Sequence, residues 1–187
     1  MMGRTHVLLG LNALWILEAT VLVGAETQRG SFHLVVNASA VCLGALLPDL
    51  DAPRSLLQSV SLGGVRPFVP LGRVLNRHLG HRGFLHSLTA LALVAFLSAP
   101  LMIAPLFDGW AWLCLVLGYA SHLLGDACTK SGVPLYFVPG VNLRRAVHLL
   151  PPRFRLSTGS AAEEAVFVAF SMSALLLLLR HLNDFSP

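Results

Sequence analysis

The chain has 187 residues, of which 55% are hydrophobic and 12% are charged, and its mean hydropathy is +0.71. Soluble domains carry about 25% charged residues, so this composition excludes an ordinary soluble protein and indicates a membrane protein. The length suits one domain over residues 1–187.

Five apolar segments are long enough to form membrane-spanning helices, which need about 20 residues each. They cover residues 7–24, 32–47, 87–107, 110–125 and 165–182. Pro100 and Pro105 are expected to bend the third segment. Two long polar connections, 48–86 and 126–164, are rich in Gly, Pro and Arg. We therefore predict an all-α fold, a polytopic membrane helical bundle of about five spanning or half-spanning helices.

The basic residues predict the orientation of this bundle. With five spans and the N-terminus inside, all Lys and Arg residues except Arg29 and Arg180 fall on the inner side. The positive-inside rule therefore favours a cytoplasmic N-terminus. Basic residues beside a membrane also attract anionic lipids, which explains the net charge of +4 without nucleic acid as a partner. Glu18 interrupts the first apolar run and no small-residue cleavage site follows, so we expect no cleavable signal peptide.

Side chains that can bind metal gather at the predicted cytoplasmic ends of all five helices. These residues are His6, Asp49, Asp51, His81, His86, His122, Asp126 and Glu163. His122 and Asp126 are four residues apart, so they share one face of a helix. Ionisable groups close to a membrane core usually mark function. We predict that these residues meet in one polar site at the inner membrane face.

Imidazole and carboxylate ligands together suit Zn²⁺, or alternatively Mn²⁺ or Fe²⁺, better than Ca²⁺. The residues outnumber the ligands of one four-coordinate ion, so two or three ions are expected. Paired metals activate water and stabilise phosphoryl displacement, which indicates hydrolysis of a phosphoester. Asp49 or Asp51 is the candidate base, and Arg82 is placed to pair with a phosphate.

Each of these residues also has a structural explanation. His122 and Asp126 would form a helix-end ion pair, and Asp49 and Asp51 would cap a loop. The histidines at 81 and 86 would be ordinary interfacial residues. Glu163 completes a capping-box pattern that begins at Ser160, which stabilises a helix N-terminus without chemistry.

A specific combination of short motifs covers nearly the whole chain. The motifs are Thr5-His6, Leu47-Pro48-Asp49-Leu50-Asp51, His81-Arg82-Gly83 with His86-Ser87, Gly118-Tyr119-Ala120-Ser121-His122 with Asp126 and Thr129, and Thr158-Gly159-Ser160 with Glu163. At these motifs the sequence resembles the YdjM family of bacterial inner-membrane proteins, described as membrane-bound metal-dependent hydrolases. The resemblance implies a multi-pass protein of the bacterial inner membrane.

That family is distantly similar to the all-helical, zinc-dependent phospholipase C and P1 nuclease group, which cleaves phosphoesters with three zinc ions. This similarity implies a specific set of ligands. They would be His6, one of Asp49 or Asp51, His81 or His86, His122, Asp126 and Glu163.

Three functions fit these observations. The first is a hydrolase whose partners are membrane lipids and an anionic, phosphate-containing substrate. The second is a transporter of ions or small solutes, which predicts ionisable groups at mid-membrane. Only Asn12 and Glu18 are strongly polar deep in a predicted span. The third is a non-catalytic regulatory protein with a structural metal, which predicts a closed ligand shell.

Overall fold

The computed structural model describes residues 1–21, 31–53, 55–79, 83–105, 107–134, 136 and 146–184. Within these ranges the chain forms seven α-helices. They are α1 (Gly3–Val21), α2 (Ser31–Leu46), α3 (Leu56–Ser59), α4 (Phe68–Leu79), α5 (Leu88–Ser98), α6 (Gly109–Ala127) and α7 (Ala161–Asp184). Helices α1, α2, α5, α6 and α7 overlap the five predicted apolar segments, which confirms the helical fold class.

Short elements join these helices. Among the described residues, four 3-10 helices cover Leu47–Asp51, Phe84–His86, Ala99–Ile103 and Pro152–Phe154, and a two-stranded antiparallel ribbon pairs β1 (Val133–Pro134) with β2 (Ala146–Val147). Prolines lie in the first turns of three of the 3-10 helices, where a missing N–H is tolerated. The third apolar segment is accordingly divided, because α5 ends at Ser98 and a 3-10 helix containing Pro100 follows.

Two glycines allow α2 and α6 to pack with their backbones in close contact. A Cβ on Gly44 would lie 2.0 Å from the carbonyl oxygen of Leu115, and one on Gly118 would lie 2.1 Å from that of Val41. Small residues at such crossings are typical of helices that associate in a membrane. Helix α1 packs against α2, α6 and α7 and completes the core.

Many large apolar side chains are exposed on the surface of the described helices. Two stretches of the described chain, His33–Asp51 and Ala161–Arg180, are long and apolar enough to cross a membrane, and Leu88–Ile103 is a shorter apolar stretch. On α7, Met172 and Leu176 are 62% and 65% exposed. Exposed apolar side chains in contiguous patches indicate contact with lipid or a partner.

The first long connection contains more structure than its composition suggests. Helix α4 has arginines on one side and apolar residues such as Leu71 and Val74 on another, so it is amphipathic. Pro70 lies in its first turn, where it does not interrupt the helix. This polar connection, although rich in Gly, Pro and Arg, therefore contains an amphipathic helix.

Candidate metal centre

Four elements bring five of the predicted site residues together. His6 lies on α1, and Asp49 and His86 lie on two 3-10 helices. His122 and Asp126 both lie on α6. The side chains of His6, His86, His122 and Asp126 are at most 1% exposed, whereas Asp49 is 18% exposed. Buried ionisable groups of this kind require each other or a cation. The predicted meeting of distant imidazoles and carboxylates is thus present among the described residues.

These side chains form two overlapping groups with the geometry of metal ligands. One group contains His6, His122 and Asp126, and the other contains Asp49, His86 and His122. In each group the three ligand atoms lie within 4.8 Å of one another. The residues therefore could hold a metal ion, and His122 is common to both groups.

The distances around His86 and His122 test whether an ion fits. His86 Nε2 lies 3.4 Å from His122 Nε2, 3.4 Å from Asp49 Oδ1 and 3.6 Å from Asp126 Oδ2. His122 Nε2 lies 3.9 Å from the Asp49 oxygen and 3.8 Å from the Asp126 oxygen. Ligands of a tetrahedral zinc ion, bonded at about 2.0–2.1 Å, are separated by about 3.3–3.4 Å. These five separations lie within about 0.6 Å of that size, and the two wider ones are those from His122 to the carboxylates.

A backbone hydrogen bond orients the shared imidazole. His122 Nδ1 lies 2.7 Å from the carbonyl oxygen of Ala45 on α2. A carbonyl oxygen can only accept a hydrogen bond, so Nδ1 of His122 carries the proton. Its Nε2 therefore has a free lone pair that faces the other candidate metal ligands. Metal-binding histidines are commonly fixed in this way by a partner on the second ring nitrogen.

Asp126 joins the two groups through its two oxygens. Its Oδ2 faces His86 and His122, whereas its Oδ1 lies 3.3 Å from His6 Nε2 and accepts a hydrogen bond from the α-amino group of Met1. Asp126 follows the predicted span 110–125. The Met1 α-amino group and the imidazoles of His6, His86 and His122 therefore surround this buried carboxyl group.

The turn that carries His86 is fixed by two neighbouring side chains. Ser87 Oγ donates to the carbonyl of Phe84 and accepts from the Ala90 N–H, which caps α5. The buried Tyr119 hydroxyl donates to the carbonyl of Leu85 across 2.5 Å. Ser87 was recognisable as a serine directly before an apolar run, whereas the Tyr119 contact has no sequence signal.

Four other predicted site residues are not found in either group. Asp51 is buried but belongs to neither group, and its backbone carbonyl accepts from Asn76 Nδ2 at 2.9 Å. Glu163 accepts from the backbone N–H groups of Gly159 at 2.7 Å and Met2 at 2.5 Å, in agreement with the capping alternative. His81 and Arg82 lie outside the described residues.

The fold and the site together define a membrane-associated helical protein with a buried His–Asp cluster. The chain belongs to the YdjM inner membrane protein family, whose profile matches residues 1–183. The family predicted from the short motifs is thereby confirmed.

Individual relatives agree with this membership. The chain is 35% identical over 140 residues to the inner membrane protein YdjM of Escherichia coli strain K12 and, with the same values, to that of Shigella flexneri. These alignments cover 72% of this chain and 64% of each relative, which is less than two thirds of the relatives' own length. It is also 26% identical over 174 residues to the protein YvsG of Bacillus subtilis strain 168, covering 93% of this chain and 92% of that one. No solved structure matches the chain.

Proposed function

We propose that this protein is a membrane-bound, metal-dependent hydrolase that cleaves a phosphoester at the cytoplasmic face of the inner membrane. The observation that carries the proposal is the pair of buried ligand groups that share His122. Two adjacent groups of mixed imidazoles and carboxylates suit paired metal ions, which are a recurrent means of phosphoester hydrolysis. The substrate would be a phospholipid headgroup or a related phosphate ester.

The donor atoms favour Zn²⁺, with Mn²⁺ and Fe²⁺ as alternatives. Asp49, His86, His122 and Asp126 would hold one ion, and His6 with the second oxygen of Asp126 would contribute to a neighbouring one. Bound there, such ions supply Lewis-acid polarisation of a phosphoryl oxygen and lower the pKa of a water molecule.

The protein's own groups would handle the proton and the substrate. Asp49 is the most exposed of the five clustered residues, so it is the side chain that water and substrate reach first. We assign it the role of proton acceptor, with Asp51 as the alternative two residues later. Arg82 would pair bidentately with the phosphate, and His81 would add a ligand on the same segment.

We also propose the full topology of five spans with a cytoplasmic N-terminus. The two spans that pass the length and hydropathy test, His33–Asp51 and Ala161–Arg180, would be joined by α1, α5 and α6 as shorter or more polar spans. Shorter helices can be accommodated by local thinning of the bilayer. This arrangement would bring the metal centre to the side that the positive-inside rule predicts to be cytoplasmic.

Metal content tests the proposal. Elemental analysis of the purified full-length protein is expected to find a transition metal in the wild type and much less in His122→Ala and Asp126→Asn. His148→Ala and Glu164→Gln are matched controls, because they remove the same chemical groups outside the cluster. Equal metal content near zero in all five proteins would end the enzyme proposal. Screening of phosphodiester and phospholipid hydrolysis by the metal-loaded protein follows.

A structural metal without catalysis is the second candidate. Four protein side chains around one ion would leave no open position in a tetrahedral shell, which is typical of structural zinc sites. The burial of three of these four residues favours this alternative. Metal that resists chelators, together with no hydrolysis of any phosphoester, would support it.

A further inference from the structure

A cleft of about 520 Å³ lies beside the metal centre, between α4 and the residues that follow α2. We call it the α4 cleft. Arg66, Arg73 and Arg77 line it, together with the polar side chains of Gln58 and Asn76. Asp51 is the acidic residue of this lining, and it is 1% exposed. The accessible walls of the cleft are therefore basic.

The walls are held in place by contacts with the 3-10 helix Leu47–Asp51. Gln58 Nε2 donates to the carbonyl of Leu50 at 2.8 Å, and Asn76 Nδ2 donates to that of Asp51 at 2.9 Å. Gly72 brings α4 against the same helix, because a Cβ there would lie 2.4 Å from the Leu50 oxygen. That 3-10 helix also carries the metal-site residue Asp49. The α4 cleft and the metal centre thus share one wall, and the cleft is formed before any ligand enters.

The arginines are available for an anion. Within the described part of the chain, none of the three guanidinium groups forms an ion pair with a carboxylate. Arg73 and Arg77 are one helical turn apart, so they lie on the same side of α4. A guanidinium presents a planar fork of N–H donors that matches the oxygens of a phosphate.

Exposed apolar side chains lie on the same connection as the arginines of the cleft, on the turn before α4 and on another side of α4. Leu62, Val65, Leu71 and Val74 are 65%, 66%, 49% and 55% exposed. Leu62 and Val65 are paired across a tight turn whose two glycines have φ angles of 57° and 84°, and no atom lies within 4 Å of a Cβ built on either glycine. Exposed apolar residues next to arginines are typical of elements that lie in the headgroup region of a membrane.

We propose that the α4 cleft binds the phosphate of an anionic lipid headgroup, with the exposed apolar side chains of the same connection in the membrane interface. The arginines would pair with the phosphate, and the exposed apolar side chains would hold α4 and the turn before it at the level of the headgroups. A free phosphate shares the relevant chemistry, but it does not need a binding site held at the membrane surface by exposed apolar side chains. The assignment of this lipid as the substrate rests on the proposed function, whereas binding itself does not.

Binding without turnover tests the proposal. The full-length protein in neutral detergent is stripped of metal with a chelator and titrated by calorimetry with short-chain phosphatidylglycerol, with short-chain phosphatidylcholine and with inorganic phosphate. Phosphatidylglycerol is expected to bind most tightly. The double variant Arg73→Gln/Arg77→Gln should bind it about tenfold more weakly or worse. The affinity of the double variant with lysine at both positions should lie between those of the wild type and the glutamine variant. Lysine keeps the positive charge but lacks the planar fork of N–H donors.

Arg180→Gln is the matched control, since it removes one arginine at the other end of the bundle and should bind like the wild type. Equal elution volumes and helical circular dichroism show that the variants fold. Equal affinity of the wild type and the glutamine variant for phosphatidylglycerol would overturn the proposal, and tighter binding of inorganic phosphate would overturn the lipid assignment. Arginine-dependent binding with no hydrolysis after metal loading would count against the proposed function alone.

Discussion

His122 on α6 donates a hydrogen bond to the backbone carbonyl of Ala45 on α2, across 2.7 Å. This bond links the metal centre to the tightest helix crossing, where Gly44 and Gly118 bring the two backbones together. A shift of α6 relative to α2 would turn the imidazole away from the donor atoms of Asp49 and His86. The geometry of the candidate ligands therefore depends on helix packing outside the site.

The substitution Gly118→Ala tests this dependence. Its Cβ would lie 2.1 Å from the Val41 oxygen, so α2 and α6 must separate. We expect a loss of about 1–3 kcal/mol of stability and a clear loss of bound metal, measured by thermal unfolding and elemental analysis. Gly109→Ala is the control on the same helix, because its nearest neighbour is the flexible methyl of Met102 at 3.1 Å. Normal metal content in Gly118→Ala would contradict the link between packing and site.

The two aspartates after Pro48 should differ in their effect on metal binding. Asp49 Oδ1 lies 3.4 Å from His86 Nε2, whereas Asp51 belongs to neither ligand group. We expect Asp49→Asn to weaken metal affinity by at least about tenfold and Asp51→Asn to leave it within a few-fold of the wild type. Titration of the stripped proteins with Zn²⁺ measures both values. The reverse order would assign Asp51 as the ligand.

The sequence predicted the five apolar helices and most of the site for one physical reason. Apolar runs of membrane length leave their polar residues at the ends, so residues such as His6, His86 and Asp126 lie at or beside the ends of apolar helices. The topology then brings the ends on one face together. Five of the eight predicted ligands meet in this way in the described structure.

Other features have no sequence signature. Any residue has a carbonyl, so nothing indicates that Ala45 would orient His122. The choice between Asp49 and Asp51 was also open, because it depends on the local backbone. In a 3-10 helix with about three residues per turn, side chains two positions apart point in different directions. The sequence pattern places both aspartates at the helix end but does not define where each points.

Glu163 offers a test of capping against metal binding. The Glu163 carboxylate accepts hydrogen bonds from the backbone N–H groups of Gly159 and Met2. The backbone N–H of Glu163 in turn donates to Ser160 Oγ at 3.3 Å. We expect Glu163→Gln to keep its metal and to lose about 0.5–2 kcal/mol of stability, as for a lost helix cap. Elemental analysis and thermal unfolding measure the two effects. Loss of metal without loss of stability would make Glu163 a ligand, as the family similarity implies.

The orientation of the bundle predicts which side of the membrane each connection faces. In a variant whose native cysteines Cys42, Cys114 and Cys128 are replaced by alanine, single cysteines are introduced as Gln28→Cys and Ser59→Cys. Because basic residues are retained on the cytoplasmic side, an impermeant maleimide added to intact spheroplasts should label the cysteine at 28 and not that at 59. Permeabilised cells should label both. Labelling of position 59 from outside would reverse the topology and place the metal centre on the periplasmic face.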